Sequence, residues 1–274
     1  MAAFVDALPL NDNSEVLGKG AISELSKPSS KATLRDPQIF YKIIEKMTSA
    51  YEGPHKVICS RNLKNLGIAN HINKINLLAS GELIIVAAGD DISVPERAQR
   101  LVDEYLLSNK LANYFYSSVQ QIGIDGLEKG IVNSPGKKNS NSKLWAALSP
   151  YPVAIGATQA WTRSLVSRFP PLRQCVWAED QILGLRGLLL GPICCVDEPL
   201  VHYRIGSGVS TRNMKFSFEK YFNGKFLAVQ IYQQRCLDAW HNKNYIISII
   251  VLIKMLFLTL IFPINPIISL MKKL

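Results

Sequence analysis

Cysteine is scarce in this sequence, and its pattern gives no sign of a stabilising role outside the cell. Five cysteines occur in 274 residues. They show no CxxC spacing, and an odd number with one adjacent pair is a poor basis for a disulfide framework. We therefore expect reduced thiols and a cytosolic compartment. The five are Cys59, Cys175, Cys194, Cys195 and Cys236.

Three further signals are missing. The amino end has no secretory signal, because it carries Asp6, Asp12 and Glu15 and lacks an apolar core after a charged start. The net charge is +10, but the basic residues are scattered without an aromatic-interleaved basic motif, which argues against nucleic acid as a partner. No Gly-rich phosphate loop lies near the start, which argues against a nucleotidyltransferase.

The longest apolar stretch is at the carboxyl end. Residues 246–262 are almost wholly apolar apart from Lys254, and the chain ends with Lys272 and Lys273 close together. A helix needs about 20 apolar residues to span a bilayer, so this stretch is borderline, and a central lysine is costly in hydrocarbon. Three alternatives stay open: a span, an in-plane anchor with these lysines at anionic headgroups, or a buried helix of the globular domain.

The remainder of the chain has the pattern of one α/β domain. Residues 1–36 look irregular, whereas strand-like and helix-like segments alternate over residues 37–215. Residues 83–89 are a continuous apolar run, which is typical of a buried parallel strand. Residues 130–150 are rich in Ser, Asn, Lys and Pro and predict a surface loop that could close over a ligand. We predict a mixed, mostly parallel central sheet flanked by helices, a helical connector over 216–245 and a membrane-associating tail over 246–274.

Two acidic pairs stand out within this domain. Asp90-Asp91 follows the apolar strand, and Glu179-Asp180 precedes a helix-like segment over 181–190. Open α/β sheets bind ligands beyond the carboxyl ends of their strands. One pair could therefore hold a divalent cation and the other could take a proton. The alternatives are a solvated turn for the first pair and acidic residues favoured at a helix start for the second.

Several short motifs keep a characteristic order. They are Asn65-Leu66-Gly67 with Asn73, Ala79 to Ile84, Gly89-Asp90-Asp91, Pro95-Glu96-Arg97, Glu179 to Leu183 with Arg186, and Val196 to Arg204. From about residue 40 to about residue 215, this ordered set resembles the inverting glycosyltransferases of family two, which have a single-domain GT-A fold. No single motif is specific, but the set is.

The resemblance implies roles for the acidic pairs. Asp90 would be the principal ligand of a divalent cation, Mn²⁺ or Mg²⁺, with Asp91 supporting it, because the family has an acidic metal site after this strand. Asp180 would be the general base for an acceptor hydroxyl, with Glu179 as its neighbour. A nucleotide-sugar donor is implied as well, and the residues expected to contact it are Asn65, Gly67, Asn73, Asp91 and Arg204.

The amino end departs from the family pattern. Family members begin with an apolar strand that ends in a Pro-containing turn, and nothing in residues 1–36 clearly supplies it. Two hypotheses follow. The first is an inverting enzyme at the cytoplasmic face of the bacterial inner membrane, with a lipid-linked or surface polysaccharide as acceptor. The second is an N-terminally truncated, catalytically impaired binding module.

Overall fold

The computed structural model describes residues 2–6, 37–139, 142–206 and 218–260. Its strands are β1 (Ala2–Asp6), β2 (Leu83–Ala88), β3 (Ile92–Ser93), β4 (Tyr114–Ile122), β5 (Glu128–Val132), β6 (Ala160–Thr162) and β7 (Ile193–Arg204). Its α-helices are α1 (Pro37–Ser49), α2 (Gly67–Leu78), α3 (Arg97–Leu107), α4 (Lys143–Leu148), α5 (Arg163–Arg168), α6 (Asp180–Leu190), α7 (Phe218–His241) and α8 (Tyr245–Leu260).

The strands form one mixed sheet in the order β1-β2-β6-β4-β7-β3, with β5 beside the end of β4. The predicted central sheet flanked by helices is therefore confirmed, but the prediction that it is mostly parallel is wrong. Of six strand pairs in the described residues, five are antiparallel and only β4–β7 is parallel. Because helices cover both faces of the sheet, its strands have continuous apolar sequences whether they run parallel or antiparallel.

β2, β4 and β7 nevertheless run in the same direction. β6 lies between β2 and β4 and is antiparallel to both, and β7 is parallel to β4. The carboxyl ends of these three strands therefore meet at one edge of the sheet. This edge carries Asp90 and Asp91, which follow β2, and Arg204, the last residue of β7.

β4 is the central strand, and its side chains alternate between two cores. Tyr114 and Tyr116 are fully buried in the larger core, to which α2, α5, α6, α7 and α8 contribute. Phe115 lies between them in sequence and is fully buried in the second core, beneath Leu101 and Tyr105 of α3. This alternation is the two-residue period of a strand, and it explains why β4 carries large side chains on both faces.

Two segments have more regular structure than their composition predicts. Residues 2–6 form β1, paired antiparallel with β2, whereas the sequence predicts an irregular segment; five residues are too few to establish a period. Residues 7–36 lie outside the described part of the chain. The predicted loop over 130–150 contains the end of β5 and also α4, which begins where Ser142 Oγ accepts a hydrogen bond from the N–H of Trp145 at 3.1 Å.

α7 and α8 pack on the domain. A buried ion pair joins α7 to α6: Arg186 Nε and Nη2 donate to the two carboxylate oxygens of Asp238 at 2.7 and 2.9 Å. The segment predicted as a connector thus contributes to the core. α8 is 16 residues long, and none of the described helices combines the length and apolar character needed to cross a membrane.

Lys254 points from the middle of α8 into the protein. Its Nζ donates to the carbonyl oxygen of Leu148 at 2.7 Å and lies 5.3 Å from the centre of the Tyr232 ring. Leu148 ends α4, so the cation satisfies a carbonyl at the negative end of that helix dipole. The expectation that Lys254 lies at anionic headgroups is therefore wrong. Lys272 and Lys273 lie outside the described residues.

Candidate functional site

The first acidic pair is held by the last residue of β7. The backbone N–H of Arg204 donates to Asp91 Oδ1 at 2.8 Å, and Arg204 Nε donates to the carbonyl oxygen of Asp90 at 3.1 Å. The side chain of Asp90 is exposed, whereas Asp91 is half-buried. Burial raises the pKa of Asp91 to about 6, and the N–H of Arg204 opposes this shift. Three of the predicted site residues therefore lie together.

A buried arginine, Arg97, acts on this pair through its positive charge. Arg97 is 3% exposed; its Nη1 donates to Ser93 Oγ and its Nη2 to the carbonyl oxygen of Ala157, both at 2.9 Å. Burial lowers the pKa of Arg97 to about 10, while the negative charge of Asp91 opposes that shift. The sequence contains a signal for this role of Arg97. A cation in the first turn of a helix opposes the helix dipole, which suggests an anionic neighbour outside the helix.

The second acidic pair lies at the start of α6. Burial and, second, the adjacent charge of Glu179 raise the pKa of Asp180 to about 7, while Arg235 opposes the shift. Burial also raises the pKa of Glu179, whose Oε1 accepts a hydrogen bond from Gln159 Nε2 at 3.4 Å. A carboxyl group whose pKa lies near neutrality is suited to general base catalysis.

A glycine faces this second pair. A Cβ placed on Gly156 would lie 3.5 Å from both Asp180 Oδ2 and Glu179 Oε1. Gln159 fixes the backbone there, because its Nε2 donates to the carbonyl oxygen of Gly156 at 3.0 Å while its Oε1 accepts from Tyr114 Oη at 2.8 Å. The carboxylates thus face main chain with no intervening side chain at this position.

Residues 155–159, the bridging segment, lie between the two acidic pairs. At Gly156 the segment meets Glu179 and Asp180, and at Ala157 its carbonyl oxygen binds Arg97, whose charge acts on Asp91. Ile155 and Ala157 also pack in a small cluster whose other members come from β2, β4 and β7: Ala88, Val119, Val201 and Tyr203. The two pairs predicted from sequence therefore flank one short segment of backbone.

Three residues predicted to contact the donor have structural partners instead. Asn65 Oδ1 accepts from the N–H of Gly67 at 2.9 Å, and Gly67 has φ +71°, so these two form the turn that opens α2. Both ends of the Asn73 amide bind the backbone of Leu172, at 2.8 and 2.9 Å. Asn73 therefore anchors that loop, and its role as a donor contact stays a prediction.

The two tryptophans near the second pair differ. Trp161 is fully buried, and its Nε1 donates to Asn76 Oδ1 at 3.1 Å. Trp177 is 49% exposed, and its Nε1 donates to the carbonyl oxygen of Leu227 at 3.2 Å. Of these two tryptophans, Trp177 is therefore the one that presents an aromatic surface to solvent.

The donor set at Asp90 and Asp91 fits a divalent cation that is shared with phosphate. No group of three or more His, Cys, Asp or Glu side chains is arranged to hold a metal in the described parts of the chain. Magnesium in phosphate-transferring sites is commonly held by one or two carboxylates, with substrate phosphates and water completing the shell. Two adjacent carboxylates, one of them exposed, meet this requirement.

No protein-family model and no curated protein matches the sequence. Among solved structures, the chain is similar to S. aureus TarS. For TarS 1–349 with UDP-GlcNAc, identity is 17% over 77% of this chain and 60% of that chain, with TM-score 0.48. For S. aureus TarS, identity is 14% over 74% of this chain and 35% of that chain, with TM-score 0.46. For TarS 1–349 with UDP, identity is 14% over 75% of this chain and 57% of that chain, with TM-score 0.45. This chain thus spans 60% of the first of them. At these identities and TM-scores the likeness says nothing about activity, donor or acceptor.

Proposed function

We propose that this protein is an inverting glycosyltransferase, which moves a sugar from a nucleotide-sugar donor to a hydroxyl acceptor. The observation that carries the proposal is the pair of acidic sites on either side of the bridging segment. One site is suited to a cation and phosphate, and the other is a carboxyl group with its pKa raised to about 7. A transfer with a diphosphate leaving group requires both functions.

On the acceptor side, Asp180 is the proposed general base. Its carboxylate takes the proton of the acceptor hydroxyl as the oxygen attacks the anomeric carbon from the side opposite the leaving group. The bond between that carbon and the diphosphate oxygen breaks, and the nucleoside diphosphate leaves with the electron pair. Glu179 raises the pKa of Asp180 through its charge, and Gly156 leaves room beside the carboxylates.

On the donor side, Asp90 and Asp91 are the proposed ligands of a divalent cation, Mn²⁺ or Mg²⁺. When bound, the cation would neutralise the charge that develops on the diphosphate. Arg204 orients Asp91 through its backbone N–H, and the positive charge of the buried Arg97 also acts on Asp91.

The proposed acceptor is a lipid-linked or surface polysaccharide at the cytoplasmic face of the bacterial inner membrane. The aromatic surface of Trp177, three residues before Asp180, supports a sugar acceptor, because aromatic rings pack well against sugar faces. The apolar carboxyl end supports a membrane-associated substrate.

Two substitutions test the proposal. Donor binding is measured by calorimetry with UDP, GDP and their sugar conjugates, each with and without Mn²⁺. Asp90→Ala is expected to weaken metal-dependent binding about tenfold or more, since a carboxylate ligand of the metal is lost. Asp180→Asn is expected to spare binding and to abolish transfer. The control is Asp197→Ala, which removes an exposed carboxylate that pairs with Lys137. It should leave both donor binding and sugar transfer unchanged. Unchanged turnover in Asp180→Asn would remove that residue from the role of base.

A further inference from the structure

α8 carries an apolar face that none of the described residues covers, and the end of α7 continues it. The spacing of its members follows one side of a helix, and all of them are 40% or more exposed. The members from α7 are Leu237 and Trp240, and those from α8 are Tyr245, Ile246, Ile249, Leu252, Ile253, Leu256, Phe257 and Leu260. This set is called the apolar face below. Contiguous exposed apolar surface of this kind marks an interaction site.

Three charged residues of this helix pair, Lys254, Arg235 and Asp238, turn away from the apolar face. Lys254, the one charged residue of α8, binds the carbonyl of Leu148. Arg235 is 1% exposed and donates to the carbonyl oxygens of Gln181, Ala147 and Ser149 at 3.0, 3.2 and 2.7 Å. Asp238 pairs with Arg186. The exposed side of α8 therefore carries no charged residue.

The net charge points to the chemistry of the partner. The protein carries +10, so two copies brought together at this face would repel each other, whereas an anionic lipid surface would attract the protein. Lys243, in the turn between α7 and α8, is exposed next to Trp240 and Tyr245, whose rings meet edge to face at 4.9 Å. Lysine beside half-exposed aromatic rings is the composition found at the membrane–water boundary.

The sequence beyond α8 has the same character. Residues 261–274 are mostly apolar, contain Pro263 and Pro266, and include Lys272 and Lys273. They follow the apolar face directly in the chain. Apolar residues joined to lysines favour lipid over a soluble protein partner, because insertion strength depends on both apolar area and charge.

We propose that the apolar face lies in the plane of an anionic lipid bilayer, with α8 parallel to the surface. The same helix pair contacts the start of α6, where Arg235 binds Gln181 next to Asp180. With the proposed function, docking would hold the enzyme at the bilayer surface, where a lipid-linked acceptor lies. This last consequence rests on the proposed function, whereas the docking itself does not.

Cosedimentation of the full chain with vesicles tests the docking. Vesicles of phosphatidylcholine alone are compared with vesicles containing one third phosphatidylglycerol. The double variant Ile253→Glu/Phe257→Glu replaces two members of the face that are 60% and 62% exposed. The control Leu77→Glu/Leu107→Glu makes the same chemical change at residues 86% and 75% exposed on α2 and α3.

The expected result is binding that requires the anionic lipid, falls with added salt and drops about tenfold or more in the α8 variant but not in the control. Equal binding of the two double variants would overturn the proposal. A second outcome would also overturn it: the wild-type protein does not bind vesicles but forms a dimer, and the α8 variant is monomeric. A second copy of the chain would then be the partner of the apolar face. Circular dichroism and the midpoint of thermal unfolding verify that each variant is folded. Donor binding plays no part in these measurements, so failure of the docking and failure of the proposed function can be told apart.

Discussion

The carboxyl group of Asp180 is held where its charged form is disfavoured. Burial is the larger cause and the neighbouring charge of Glu179 the second, and together they raise its pKa from 3.8 to about 7. In the unfolded chain the group ionises near its ordinary value. Between about pH 4 and pH 7 the folded protein therefore binds more protons than the unfolded chain, and its stability decreases as the pH rises through this interval.

Asp180→Asn should consequently stabilise the protein at pH 8. An amide does not ionise, so the variant escapes this loss. We expect a gain of about 1–3 kcal/mol in the free energy of unfolding, below the full value of the pKa shift because the group is partly exposed. Urea unfolding at pH 8 and pH 4 measures it, and the gain should shrink towards pH 4. A variant that is equally destabilised at both pH values would contradict the inferred environment of Asp180.

Sequence reasoning found the acidic residues of the site and Arg204, but not Arg97 and Gln159 as parts of the site. Asp90, Asp91 and Asp180 stand in recognisable motifs. Arg97 and Gln159 act through contacts with the backbone of residues 157 and 156, and the position of that backbone is set by the fold. A local pattern carries no information about such contacts, because the partners are brought together only when β4, β6 and β7 pair.

The helix pair α6–α7 depends on the ion pair between Arg186 and Asp238, whose side chains are 4% and 0% exposed. Asp238→Ala should lower the free energy of unfolding by about 3–5 kcal/mol, because it leaves a buried guanidinium without its carboxylate. Asp197→Ala removes a carboxylate that is 76% exposed from its pair with Lys137 and should cost at most about 1 kcal/mol. Chemical denaturation of both variants measures the difference. Equal losses would mean that the Arg186 pair contributes no more than a surface contact.

Helices and strands were predictable where a period is long and uninterrupted, as in α2, α3, α6, β2 and β4. Short elements were not. β1 and β6 have five and three residues, too few to show a period. The direction of the strands could not be predicted from the sequence either. Helices cover both faces of the sheet, so its antiparallel strands have the continuous apolar sequence that is typical of parallel strands.

Taken as a whole, the described domain has one large core that runs from the sheet to the last helix. The same buried cluster contains Ile84 of β2, Leu183 of α6, Tyr232 of α7 and Val251 of α8. We therefore expect α7 and α8 to unfold together with the sheet.

Urea unfolding followed by far-ultraviolet circular dichroism and by tryptophan fluorescence should give a single transition with coincident midpoints. Trp161 reports on the buried sheet and Trp240 on the end of α7. Substituting phenylalanine for each in turn separates their signals. Two resolved transitions, with the Trp240 signal changing first, would show that the carboxyl-terminal helices form a separate cooperative unit.

The pairing of β1 has a consequence for handling the protein. β1 occupies the hydrogen-bonding edge of β2 along residues 84–88, which are apolar. A truncated version that begins after residue 6 would leave this edge open, and an open apolar edge recruits strands from other molecules. Preparations that lose these few residues to proteolysis should therefore be prone to aggregation, and a bulky tag attached directly to Met1 would sit beside the strand that prevents it.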